Sequence, residues 1–264
     1  MGCEKIRTDG EYGEPELVGM QLFYIWRGRG ELNMKDIEYI LFDCMETLID
    51  MTEIPSQREY ALWAFDRCGY ESCWGNFDNF FEEYKCAVGI LAGSFPEHRD
   101  YEMKKRFELI VEKRKMQAKG NEIVQSLYDN YWDTYSSKCY VRDEVKETLH
   151  KLHLKFKLGV VSNFMVKGGI EELLERNSIL MYFKFVVTSI NTGWRKPHPE
   201  IYSEAISKSG VPADRILFVG DDYVCDYEGP RSIGMKSLLL DRNHRHWTLS
   251  DTISDFNELS YILL

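Results

Sequence analysis

Two hydrophobic periodicities alternate along the chain. Short continuous apolar runs read as buried strands: IEYILF (37–42), KLGVVSN (157–163), FKFVVTS (183–189), RILFVGD (215–221) and KSLLL (236–240). Between them, apolar residues three and four apart predict helices. These are RDEVKETLHKLH (142–153), one from Gly169, one after Pro199, a short one near Pro230 and a final amphipathic segment. Alternation of this kind predicts an α/β fold, a doubly wound parallel sheet with Rossmann-like right-handed crossovers. Ligands are then expected at the carboxyl ends of the strands.

One stretch breaks the alternation. From about 52 to 138 the apolar positions keep the helical period, as in Tyr60, Trp63 and Ala64, then Phe77, Phe80, Phe81 and Tyr84, then Val124, Leu127, Tyr128 and Tyr131. Pro55 and Asn76 stand at helix starts, Gly69 and Gly120 at breaks. The pattern predicts an inserted helical module at 52–138, within a core made of 34–51 and 139–264. Residues 1–33, Gly- and Glu-rich with one apolar patch (LFYIW), read as an extension ahead of Met34.

Composition narrows the function classes. The 264 residues are 44% apolar and 29% charged, as in ordinary globular proteins. With 33 Lys and Arg against 43 acids, the net charge is −10, which repels a phosphate backbone and disfavours nucleic acid as a partner. No apolar run approaches the roughly eighteen residues of a membrane span. The first residues are too charged for a signal peptide, and Ile6 weakens a myristoylation reading of Met-Gly-Cys. Seven scattered cysteines without a Cys-x-x-Cys pair read as reduced thiols in the cytoplasm, and zinc is disfavoured.

The chemistry gathers after the predicted strands. The first is followed by Asp43 and Thr47, the second by Ser162 and Asn163, the fourth by Asp221, Asp222 and Asp226; Lys196 lies in the loop TGWRKPHPEIY. Polar residues are common at strand ends, so each alone says little. A carboxylate, a hydroxyl, a lysine and an acid cluster in this order say more.

In this order the residues resemble the four signatures of the haloacid dehalogenase-like (HAD) hydrolase superfamily. FDCMETL stands where that family has Asp-x-Asp-Gly-Thr-Leu. GVVSNF, the lysine of RKPHPEIY, and FVGDDYVCDYEGPRSIGM match the other three. The insert resembles the helical cap of subfamily I members. TGWRKP and GDDYVCDYEGPR resemble the HAD-like hydrolase domain-containing branch, which also lacks the second acid of the first signature.

The resemblance implies a phosphatase mechanism. Asp43 is the implied nucleophile, forming an aspartyl intermediate. Asp43, the carbonyl of Met45, Asp221 and Asp226 are the implied holders of Mg2+. Thr47, Ser162 and the amide of Asn163 are implied to bind phosphoryl oxygens, with Lys196 balancing charge. The glycines at 168 and 169 are expected to keep their loop adaptable. Asp222 reads as a solvated neighbour, and Asp226 alternatively as a helix cap.

Met45 stands where the family carries its acid–base aspartate, a loss affecting a contribution of typically ~10²–10⁴-fold. Adjacent Glu46 is a candidate substitute. Haloacid dehalogenases also lack that acid and use no metal, and Tyr202 and Lys85 lean that way. Asp221 argues against them, because its charge repels a haloacid anion. The expected function is therefore a Mg2+-dependent phosphatase of a small phosphorylated metabolite. A 2-haloacid dehalogenase is the alternative, and a non-catalytic binding protein the third reading. Substrate contacts are expected from Lys85, Arg58 and Tyr202, with Glu53, His98 and Arg99 as further candidates.

Overall fold

The computed structural model describes residues 34–116 and 119–264. The predicted extension at 1–33, with its LFYIW patch, and Cys3 lie outside the described residues.

The sheet is built from β1 (Tyr39–Phe42), β4 (Lys157–Ser162), β5 (Phe183–Thr188), β6 (Ile216–Gly220), β7 (Lys236–Leu240) and β8 (Thr252–Ile253). All pairs are parallel, in the order β5-β4-β1-β6-β7-β8. The order changes direction at β1, so the crevice at its carboxyl end is a switch point. Alternate residues of the central strands enter different cores. Ile40, Phe42, Val160, Leu217 and Val219 join one, while Tyr39, Leu41, Val161, Ile216 and Phe218 join the other. Burial on both faces explains why these strands read as continuous apolar runs.

Ten helices connect the strands among the described residues. They are α1 (Gln57–Phe65), α2 (Phe77–Ser94), α3 (Lys104–Lys113), α4 (Gly120–Ser137), α5 (Asp143–Leu152), α6 (Gly169–Arg176), α7 (Ser189–Thr192), α8 (Pro199–Ser209), α9 (Gly229–Ser232) and α10 (Glu258–Leu263). Strand β8 was not expected. It is two residues long, too short to show a periodicity, and is fixed by backbone bonds from Leu239 to Asp251 and from Asp241 to Ile253.

Helices α1 to α4 follow the helix-period stretch. Ser56 opens α1 with a capping box, its hydroxyl accepting from the Glu59 amide while the Glu59 carboxylate accepts from the Ser56 amide. Asn76 caps α2. A two-stranded antiparallel pair, β2 (Asp50–Met51) with β3 (Cys139–Tyr140), closes the neck of this module. Trp74 and Phe80 are buried inside it, and Trp63, Phe77 and Phe81 pack against the same core, so these aromatics form the module's interior. Trp132 of α4 meets Phe164, beyond β4, edge to face at 6.0 Å, joining module to sheet.

Candidate active site

Asp43 is placed by β1. Phe42 pairs in register with Val160 and Val219, and the Asp43 amide donates to the Val219 carbonyl at 2.9 Å. Its carboxylate therefore emerges at the switch point, between the ends of β4 and β6.

Lys196 comes to it from the loop before α8. Asn163, after β4, grips the lysine backbone twice: its Oδ1 accepts from the Lys196 amide at 2.6 Å, and its Nδ2 donates to the Lys196 carbonyl at 3.0 Å. The Asn163 side chain is thus committed to holding Lys196. The ammonium then donates to Asp43 Oδ1 at 2.5 Å and to Asp226 Oδ1 at 2.7 Å.

Asp226 is buried and does not cap a helix. That role falls to Asp222, whose carboxylate accepts from the Cys225 amide at 2.7 Å and opens a π-helical turn over Tyr223–Glu228. The turn swings Asp226 back under β6, where its Oδ2 accepts from the Asp222 amide at 3.0 Å. A Cβ on Gly220 would sit 2.4 Å from that carboxyl, so only glycine permits the approach.

Oxygens of Asp43, Asp221 and Asp226 lie within 4.8 Å of one another. Burial pushes the Asp43 carboxyl up to about 6 against the pull of Lys196. Burial, then the Asp226 charge, pushes Asp221 up to about 6; burial pushes Asp226 up to about 7. At Lys196 burial opposes the charge, but Asp226 and Asp43 outweigh it and hold the lysine well above its ordinary value. Three carboxylates face one ammonium, and this surplus of negative charge and oxygen donors fits a divalent hard cation.

The remaining predicted residues divide sharply. Thr47 is buried and its hydroxyl donates to Asp221 Oδ1 at 3.3 Å. Ser162 ends β4 with its hydroxyl buried and unpartnered among the described residues. The Met45 carbonyl accepts none of the loop's backbone hydrogen bonds. Gly168 has a left-handed φ of 75°. At Gly169 a Cβ would strike Phe164, Trp132 and Val166 at 2.7–2.9 Å, so that glycine serves close packing rather than adaptability.

The three expected substrate contacts each have a partner within the protein. Arg58 pairs with Asp78 on the exposed surface of the helical module. Lys85 pairs with Glu82, one helical turn away. Tyr202 is fully buried, and its hydroxyl donates to the Cys225 carbonyl, under the site rather than in it. Glu46 takes the family's glycine position with a φ of 59°. Burial and Asp50 raise its pKa while Arg242 and the Met51 amide lower it, which places its carboxylate at the β2–β3 neck.

A cluster with no motif lies beneath this loop. Arg242, two residues beyond β7, donates to the carbonyls of Glu46 at 2.5 Å and Thr47 at 3.4 Å. The same guanidinium pairs with buried Asp50 at 3.2 Å, which Arg142 also approaches at 2.7 Å. The sequence held no usable signal for it, because 50, 142 and 242 share no spacing rule.

Comparison with known proteins places this arrangement. Residues 73–240 match the family model described as haloacid dehalogenase-like hydrolase. The chain belongs to that family. It is 36% identical over 128 residues to haloacid dehalogenase-like hydrolase domain-containing protein 3 of Danio rerio, covering 46% of this chain and 49% of that one. The chain thus spans about half the length of those relatives. It is 27% identical to the glyceraldehyde 3-phosphate phosphatase of Pyrococcus abyssi over 76% of this chain and 80% of that protein. Among solved structures, a 2-haloacid dehalogenase from Pseudomonas syringae superposes with a TM-score of 0.68 at 22% identity, covering 86% of this chain and 98% of that chain. A HAD phosphatase from Thermococcus onnurineus gives 0.61 at 23% identity, with the same coverage. At these identities the two structures show the HAD hydrolase fold alone.

Among the described residues, no helix of this family member is long and apolar enough to cross a membrane. Its six described cysteines are free.

Proposed function

We propose that the chain is a Mg2+-dependent phosphatase of a small phosphorylated metabolite. The observation that carries this reading is the close approach of Asp43, Asp221 and Asp226 around a single lysine. Free thiols suit a reducing cytoplasm.

In this mechanism Asp43 attacks the phosphoryl group in line, and the substrate's alcohol leaves. Asp43, Asp221, Asp226 and the Met45 carbonyl would hold Mg2+, which supplies positive charge opposite the developing phosphoryl negative charge. Lys196 screens Asp43 from the anionic substrate and is itself aligned by Asn163. The Ser162 hydroxyl is the unspent donor for phosphoryl oxygens, and Thr47 would turn its hydroxyl to them from Asp221. Water then cleaves the aspartyl phosphate and regenerates the Asp43 carboxylate. With Met45 in the acid–base position, protonation of the leaving oxygen is weak, which favours substrates with good leaving groups. The β2–β3 neck lets the four-helix module act as a cap over this crevice.

The dehalogenase reading loses its tyrosine, because the Tyr202 hydroxyl is spent on a backbone carbonyl. The test is a panel of phosphate esters and haloacids, assayed for phosphate and halide. Phosphate release that EDTA stops and Asp43→Asn abolishes is the expected result. Halide release that EDTA leaves intact overturns the reading.

A further inference from the structure

The loop between α2 and α3, residues 95–103, lies against the segment that carries Lys196. Three backbone hydrogen bonds fasten it to the sheet side of the molecule. The Asp100 amide donates to the Gly193 carbonyl at 3.2 Å, the Arg195 amide to the His98 carbonyl at 2.9 Å, and the Met103 amide to the Met165 carbonyl at 2.9 Å. The Arg99 guanidinium adds a cation–π contact, 4.8 Å from the centre of the Trp194 ring. His98 and Arg99, two of the expected substrate contacts, thus have partners just before Lys196.

These contacts suffice to dock the helical module at a second point besides its β2–β3 neck. The Asp100 side chain does something more. Its carboxylate is buried, where a charge is costly unless hydrogen bonds meet it. Oδ2 accepts from the Ser189 hydroxyl at 2.5 Å, and Oδ1 accepts from the Tyr101 amide at 3.3 Å. Ser189, which opens α7, is fully buried. A serine hydroxyl has one hydrogen to donate. With that hydrogen held on Asp100, its lone pairs are free for the Phe164 amide, which donates to it at 2.8 Å. If the carboxylate were gone, the hydrogen could turn to the Phe164 carbonyl, already within 3.3 Å.

Phe164 follows Asn163, whose side chain grips the Lys196 backbone at 2.6 and 3.0 Å. Arg195, bonded to His98, precedes Lys196. One loop of the helical module therefore braces both halves of the grip. It reaches the Asn163 half through Asp100, Ser189 and Phe164, and the lysine half through His98 and Arg195.

We infer that Asp100 is a positioning residue for Lys196. It fixes the Ser189 hydroxyl, which fixes the turn at Asn163, which sets the lysine ammonium against Asp43. The inference rests on the phosphatase reading only for what a misplaced ammonium does to turnover.

The test reads the two amides at the ends of this chain of bonds, so it does not depend on turnover. Hydrogen exchange is followed by NMR at the Phe164 and Lys196 amides of the full chain, with the Leu239 amide as a reference in the far half of the sheet. Loss of a hydrogen bond to a charged group implies exchange about 10- to 100-fold faster at both amides in Asp100→Ala, with Leu239 unchanged. Asp100→Asn keeps an acceptor oxygen for Ser189 and should retain most of the protection. Ser189→Ala should reproduce the alanine pattern, and it serves if Asp100→Ala fails to fold. Faster exchange confined to residues 95–103 overturns the inference, because Asp100 would then only dock the module. An asparagine variant as damaged as the alanine variant also overturns it. On any ester that releases phosphate, kcat of Asp100→Ala should fall about 10- to 100-fold with KM nearly unchanged, since a misplacement of ~1 Å can cost ~10²-fold. Failure of every ester to turn over counts against the phosphatase reading alone, and the exchange rates still decide the role of Asp100.

Discussion

The ammonium of Lys196 lies 2.5 Å from Oδ1 of Asp43, 153 residues earlier in the chain, with both side chains almost out of solvent. Neither charge has a place there without the other. The pair is held from both sides, Asp43 by the β1–β6 ladder and Lys196 by the Asn163 side chain.

Removing the lysine should therefore damage stability as well as chemistry. Lys196→Met leaves Asp43 and Asp226 buried without a counter-charge, a change that typically costs ~3–5 kcal/mol. Urea denaturation should show that loss in the metal-free protein, with Mg2+ restoring part of it. An unchanged midpoint would mean that the carboxylates are already neutral when the lysine is absent.

The same carboxylates give the metal-free protein a pH signature. Asp43, Asp221 and Asp226 are raised from 3.8 to about 6, about 6 and about 7. The folded state thus keeps protons that the unfolded chain releases. The stabilisation from those protons is complete below about pH 4 and is lost as pH rises through 6 to 7. With EDTA present, the melting temperature of wild type should fall relative to Asp43→Asn across that window. Saturating Mg2+ should flatten the difference. A constant gap from pH 5 to pH 8 contradicts this assignment.

Met45→Asp restores an acid next to the nucleophile. Turnover of alkyl phosphates should rise by ~10²–10⁴-fold, and that of p-nitrophenyl phosphate much less, since its leaving group needs little protonation. Glu46 does not already fill this role, because its carboxylate is drawn to Arg242 and the Met51 amide. Equal gains on both substrates would point to a loop rearrangement instead of acid catalysis.

Arg242 should act as a positioning residue. Its bonds to the carbonyls of Glu46 and Thr47 fix the loop that carries Asp43 and Thr47. Arg242→Met should cost about 1–3 kcal/mol of stability and lower kcat more than it raises KM, because misplacement by ~1 Å can cost ~10²-fold. Arg242→Lys has one ammonium for two carbonyls and should rescue little. A pure KM effect would place the residue in binding instead.

The sequence by itself determined five strands of the sheet, the helical stretch between the first two of them and the order in which polar residues follow the strands. Doubly buried strands must be apolar throughout, so β1, β4, β5, β6 and β7 were visible as runs, and Asp43, Thr47, Ser162, Lys196 and Asp221 stand at their ends in a recognisable order. The caps of α1 and α2 were local too, since Ser56 and Asn76 act within a few residues of themselves. Tertiary structure decided what depends on contacts between distant segments. It committed the Asn163 side chain to Lys196, swung Asp226 back under β6, paired Arg58 with Asp78 and Lys85 with Glu82, and turned the Tyr202 hydroxyl to the Cys225 carbonyl. It also assembled Arg242 with Asp50, and Arg106 with Tyr84 and Tyr101. A side chain's periodicity tells which face of its own element it occupies. Its partner across the fold is set by register, loop path and packing, which no local pattern records.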